Sequence, residues 1–106
     1  MTTFDRREEA FERKFALDEE QKFKAEARRN KLLGLWVADR LGISGEAATA
    51  YAKAVVAADF EQAGDGAVRK VSGDLAASDV GITEQQLRQK LDEFLALAIL
   101  QVKAGT

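Results

Sequence analysis

The chain contains no proline and its first glycine is Gly34, so nothing in the first 33 residues is a strong helix breaker. Apolar residues recur at spacings of three and four, and no stretch alternates apolar and polar residues over the length of a strand. This pattern predicts an all-α fold without a sheet. With 106 residues, the chain has room for one core.

Glycines at positions 42 and 45, 64 and 66, and 81 divide the chain into helical segments joined by short polar connections. We predict a small four-helix bundle with helices near residues 21–41, 46–63, 67–77 and 84–103. Gly42 suits the left-handed conformation that closes a helix, and Ser44 is a good N-cap for the second helix. Asp65 precedes the third helix, whose interior Gly73 weakens it by about 1 kcal/mol.

The fourth helix has the clearest start signals. Thr83 and Gln86 have the spacing of a capping box, and Ile82 can pack on Leu87 as a hydrophobic staple. An apolar stripe follows and is widened by further apolar residues to most of the circumference, which leads us to expect this helix at the centre of the core. The stripe and its extensions are Leu87, Leu91, Phe94, Leu95, Leu97, Ala98, Ile99, Leu100 and Val102.

Composition excludes several classes of site. The chain has no cysteine and no histidine, so it lacks disulfides, thiolate or imidazole metal ligands, and the commonest general base. The net charge of -2 is not the strongly basic balance typical of nucleic-acid binding. No apolar run approaches the roughly 20 residues that span a bilayer. We expect a cytoplasmic, non-catalytic protein with no metal or cofactor, no direct membrane insertion and no nucleic-acid partner.

Three smaller features have ordinary structural explanations. The glycine-rich connections lack the spacing and lysine of a phosphate-binding loop, although nucleotide binding by the bundle stays open. Asp59, Glu61 and Asp65 match no calcium loop and are more typical of a solvated helix end. Trp36 and Tyr51 are expected in the core or at its rim.

The N-terminal stretch differs from the rest of the chain. Charged side chains occupy 17 of the first 31 residues, which is more than twice the charge density of the remainder, yet three of the six phenylalanines lie in the first fifteen positions. In a helix, Phe4, Phe11 and Phe15 fall within an arc of about 40°, and Phe23 lies about 80° beyond it. The acidic run Asp18-Glu19-Glu20 marks a break or the first turn of the first bundle helix.

Two interpretations of residues 1–17 follow. They are either a solvated extension of the first helix, or a segment that is disordered when free and lays its phenylalanines as a helix into a groove on another protein. In both cases the bundle occupies residues 18–106. The sharpest basic cluster, Arg28, Arg29 and Lys31, is a solvated helix face or a docking patch.

Several runs together carry a family resemblance. The run FKAEARRNKLLGLW from Phe23 to Trp36, with FDRRE from Phe4 and KFALDEE from Lys14, closely resembles the zeta inhibitor subunit of alphaproteobacterial F-type ATP synthases. A looser similarity continues through Tyr51-Ala52, Val55-Val56 and Asp59-Phe60, so it covers nearly the whole chain.

The resemblance implies a helical bundle, monomeric when free, whose mobile N-terminal segment inserts as a helix into the catalytic head of the enzyme and stops rotation in the hydrolytic direction. The head comprises alpha, beta and gamma subunits, and the complex would be peripheral to the inner membrane. The implied partner-binding residues are Phe4, Asp5, Arg6, Arg7, Phe11, Arg13, Lys14, Phe15 and Leu17.

Two positions depart from the family pattern. A second acidic residue is common where this chain has Arg6, and a histidine is common where it has Leu17. This segment is therefore more basic and lacks a side chain that titrates near neutral pH, which argues against a histidine-based pH switch. The rival function is a non-catalytic helical adaptor whose N-terminal segment binds another protein or a nucleic acid.

Overall fold

A computed structural model describes residues 17–105, which form four helices and no strand. The helices are α1 Glu19–Arg40, α2 Gly45–Glu61, α3 Gly66–Ala77 and α4 Glu84–Lys103. The predicted all-α class and all four predicted helices are confirmed, with ends that differ by at most two residues. Within this part of the chain, no helix is long and apolar enough to cross a membrane.

Local signals fix the ends of α1. The carboxylate of Asp18 caps the helix. Glu19 and Glu20 occupy the first turn, where the helix dipole favours negatively charged side chains. At the other end Gly42 has a φ of +78°. This conformation lets the N–H of Ile43 donate to the carbonyl oxygen of Ala38 at 2.8 Å, which closes the helix as predicted.

The start of α2 differs from the prediction in one respect. Ser44 occupies the N-cap position, but its side chain makes no capping hydrogen bond. The next residue, Gly45, has a φ of +63°, outside the range of a right-handed helix. This left-handed residue changes the path of the chain after Ser44, so the hydroxyl does not meet the N–H groups of the first turn.

The centre of the bundle is α1, not α4. Helix α1 contacts each of the other three, most extensively α2 and α4. Its fully buried Leu33 and Val37 belong to a core completed by residues from every helix, namely Val55, Ala67, Val71, Leu75 and Leu87.

The expectation that α4 is central is therefore wrong. Helix α4 has a wide apolar stripe, but α1 alone covers this helix extensively, and Leu97 and Leu100 remain 42% and 55% exposed. The number of apolar residues on a helix does not determine how many neighbours it has.

Close packing of α1 on α2 depends on small residues. Gly34 and Ala52 are buried against each other, and a Cβ atom on Gly34 would lie 2.6 Å from the Cα atom of Ala52. The small side chain of Ala52 on α2 therefore allows the close approach of α1.

Candidate functional site

Most of the predicted inhibitory residues lie outside the described part of the chain. These are Phe4, Asp5, Arg6, Arg7, Phe11, Arg13, Lys14 and Phe15. The structure does describe Leu17, which is half-buried and precedes the start of α1. The described part of the candidate site is therefore the junction between the N-terminal segment and the bundle.

A reciprocal pair of hydrogen bonds forms this junction. The Oδ1 atom of Asp18 accepts from the backbone N–H of Gln21 at 2.7 Å, and the Oε1 atom of Gln21 accepts from the backbone N–H of Asp18 at 3.2 Å. The backbone of Asp18 is extended, with φ -78° and ψ 175°. Helix α1 therefore begins at a complete capping box, a motif that sequence reasoning recognised at Thr83 but missed here.

The candidate docking residues have unequal surroundings. Lys31 is exposed. Arg28 is half-buried and donates to Oε1 of Gln101 on α4 at 3.4 Å. Arg29 lies against the bundle, with its side chain 21% exposed and a guanidinium nitrogen 3.7 Å from Oδ2 of Asp59. The three cations thus do not form one open patch, because Arg29 is directed into the contact between α1 and α2.

Asp59 joins three helices at that contact. Its carboxylate accepts from Nδ2 of Asn30 on α1 at 3.0 Å and from the backbone N–H of Ala67 on α3 at 3.3 Å. Asn30 is 2% exposed and is the one buried polar residue among residues 17–105. The Asp59 carboxylate therefore satisfies a buried amide and an N–H in the first turn of α3 together.

Asp65 holds the predicted N-cap position of α3, but its side chain makes no capping bond and lies 3.6 Å from Arg69 instead. The cap comes from Asp59, on the preceding helix. In the described part of the chain, no group of three acidic side chains is placed to hold a metal ion.

Trp36 and Tyr51 lie at the rim of the core, as predicted. Two cations lie near the Trp36 ring, with the Arg40 guanidinium 5.2 Å and the Lys90 ammonium 5.6 Å from its centre. The hydroxyl of Tyr51 donates to Oδ2 of Asp74 at 2.7 Å and joins α2 to α3. Burial raises the pKa of Tyr51 well above its usual range, and the neighbouring Asp74 carboxylate raises it further.

An open cleft of about 830 Å³ separates α3 from the first turns of α4. Leu75 and Leu87 are among its apolar lining residues. Its two arginines, Arg69 and Arg88, each pair with a carboxylate four residues earlier on the chain. Its charged lining residues therefore form ion pairs within the chain.

Comparison with known proteins identifies the family. The model of the family described as ATPase inhibitor subunit zeta matches residues 1–101. The chain belongs to this zeta family. Membership in a family of inhibitor subunits implies a regulatory, non-catalytic protein whose target is an ATPase.

A solved structure supports the fold. A chain whose structure was determined in solution by NMR is 50% identical, with a TM-score of 0.69, and the similarity covers 80% of this zeta chain and 98% of the other. The comparison with curated proteins gives no match.

Proposed function

We propose that this zeta chain inhibits ATP hydrolysis by an F-type ATP synthase by inserting residues 1–17 as a helix into the catalytic head of alpha, beta and gamma subunits. The inserted helix blocks rotation in the hydrolytic direction. The observation that carries the proposal is the extent of the family match, which runs from residue 1 to residue 101 and thus includes the N-terminal segment as well as the bundle. In this role the chain is monomeric when free and peripheral to the inner membrane when bound.

The phenylalanine stripe supplies the main attraction in this proposal. Burying Phe4, Phe11 and Phe15 in a groove yields roughly 4.5 to 9 kcal/mol before costs. Ordering a segment that folds on binding costs roughly 2 to 5 kcal/mol or more. The segment by itself would therefore bind weakly.

A second contact through the bundle would overcome this weakness. When one site is engaged, a short tether raises the effective concentration at the other to the order of millimolar. Of the candidate docking residues, Lys31 is exposed and Arg28 is half-buried, whereas Arg29 contacts Asp59. We propose the face with Lys31 and Arg28 as the accessory contact, with Arg29 as part of the bundle's internal structure.

The charges of the segment have a different role from its phenylalanines. Exposed charges change the rate of encounter more than the lifetime of a complex, and salt screens them. We therefore expect Arg6, Arg7, Arg13 and Lys14 to act on the association rate and its salt dependence. Asp5 and Leu17 lie off the stripe, and we propose that they complete the contact.

Replacing Phe11 by alanine tests the proposal, with Phe23→Ala as the matched control. Phe23 lies on α1, is 60% exposed, and falls off the predicted stripe. Truncating a buried phenylalanine costs about 3 kcal/mol or more, so Phe11→Ala should weaken inhibition of ATP hydrolysis by isolated catalytic heads more than a hundredfold. Phe23→Ala should leave inhibition within a few fold of the unaltered chain.

Thermal unfolding of both variants serves as the folding control, because Phe11 lies outside the described bundle. Equal inhibition by the Phe11→Ala variant and the unaltered chain would contradict the proposal. The helical adaptor would then be the better description, and the proteins recovered from lysate with the chain would show its partner.

A further inference from the structure

The helix start at residue 19 is not explained by helix-breaking residues. Residues 1–33 contain neither glycine nor proline, and the run Phe11-Glu12-Arg13-Lys14-Phe15-Ala16-Leu17 contains no β-branched residue. Such a sequence allows a helix to continue toward the N-terminus. In the structure, however, Leu17 and Asp18 are not helical and α1 begins at Glu19.

The capping box opposes extension of α1 toward the N-terminus beyond Glu19. Extending α1 by one residue would require the ψ of Asp18 to change from 175° to a helical value near -42°. The carboxylate would then leave the N–H of Gln21, and the Gln21 side chain would lose the N–H of Asp18. An N-cap bond shifts the balance between a capped and an uncapped helix by about fivefold.

We propose that the Asp18–Gln21 capping box is a built-in junction that fixes Glu19 as the first residue of α1. The junction allows the N-terminal segment to take a direction different from that of α1. This role rests on the proposed insertion of residues 1–17. A helix continuous from residue 4 to residue 40 would be a rigid rod of about 55 Å. With the junction in place, the bundle and the inserted helix each take the orientation that its own contact requires.

The test uses the full chain with Asp18→Ala and Gln21→Ala together, which removes both capping acceptors. Backbone chemical shifts measured by NMR on the free protein should show helical character spreading to Phe15–Asp18, with about a fivefold higher ratio of helical to non-helical conformers at Asp18. Asp18→Asn retains a capping oxygen and should leave these shifts unchanged.

A second control removes the same motif from another helix. Thr83 and Gln86 form an equivalent capping box at α4, with bonds of 3.1 Å and 2.9 Å. Thr83→Ala with Gln86→Ala should lower the free energy of unfolding about as much as the Asp18/Gln21 double substitution does. It should leave the chemical shifts of Phe15–Asp18 unchanged. Unchanged shifts in the Asp18/Gln21 variant, or loss of helical shifts from Glu19 to Lys22, would overturn the junction.

Inhibition of ATP hydrolysis by the same variants tests whether the capping box sets the direction of the N-terminal segment. The Asp18/Gln21 variant should inhibit ATP hydrolysis by isolated heads less strongly than the Thr83/Gln86 variant. Equal or stronger inhibition with a lengthened α1 would contradict this role. If the unaltered chain itself does not inhibit, the proposed function fails, while the NMR result still decides whether the box sets the helix start.

Discussion

Gly34 offers a quantitative test of the packing between α1 and α2. In Gly34→Ala, the added Cβ atom would lie 2.6 Å from the Cα atom of Ala52 and 3.3 Å from Cγ2 of Val55. Carbon atoms in contact normally lie about 3.5 to 4.0 Å apart. Since the nearest atom belongs to the backbone, a rotamer change cannot relieve the contact, and the helices must separate by about 1 Å at their closest point.

Two opposing terms set the size of the effect. Alanine improves on glycine in a helix interior by about 1 kcal/mol. Overpacking a core costs about 1 to 3 kcal/mol, and fully buried Val55 has little room to move. Because the clash involves backbone, the upper part of this range applies, and we expect Gly34→Ala to lower the free energy of unfolding by about 1 to 2 kcal/mol.

Gly73→Ala is the matched control, since it places the same methyl group inside α3 with no neighbouring atom within 4 Å. It should raise stability by about 0.5 to 1 kcal/mol. Thermal unfolding followed by circular dichroism resolves the difference, because 1 kcal/mol shifts the Tm of a domain this small by roughly 4 to 8 °C. A Gly34→Ala protein as stable as the Gly73→Ala protein would refute the close packing of α1 on α2.

Two further predictions concern contacts between helices. Asp59→Ala removes the acceptor for buried Asn30 and for the Ala67 N–H, so it should lower the free energy of unfolding in urea by about 2 to 3 kcal/mol. Asp65→Ala is the control, because its side chain is 64% exposed, and it should lower that free energy by less than about 0.5 kcal/mol. Equal losses would contradict the assignment of Asp59 as the cap of α3. Ultraviolet titration of Tyr51, the single tyrosine, should show its hydroxyl still protonated well above pH 10. Since the unfolded chain releases this proton near pH 10 and the folded chain retains it, the free energy of unfolding should fall above pH 10. It should fall less in Tyr51→Phe, which has no proton to release. Titration of the Tyr51 hydroxyl near pH 10 would contradict its buried contact with Asp74.

The features that sequence reasoning predicted correctly depend on residues close together in the chain. Thr83 and Gln86 are three residues apart, and their two hydrogen bonds form as their spacing predicts. Gly42 closes α1 through contacts within five residues of itself. Such motifs are complete within one or two helical turns, so the sequence contains both partners at a recognisable spacing.

Features that depend on distant residues were not predictable in the same way. The cap of α3 comes from Asp59 rather than Asp65, because the packing of α2 on α3 brings a more distant carboxylate to the helix start. The basic run at Arg28 is continuous in sequence, yet the contact between α1 and α2 directs Arg29 toward Asp59. Composition likewise favoured α4 as the central helix, whereas topology places α1 between its neighbours.

The most direct test of the account compares the full chain with a chain that lacks residues 1–17, as inhibitors of ATP hydrolysis by isolated catalytic heads. Residues 18–105 contain the capping boxes and the core, so both chains should unfold at nearly the same temperature. The deletion should abolish inhibition and leave at most weak binding through the bundle. Inhibition by the shortened chain as strong as that by the full chain would contradict the assignment of residues 1–17 as the inhibitory element.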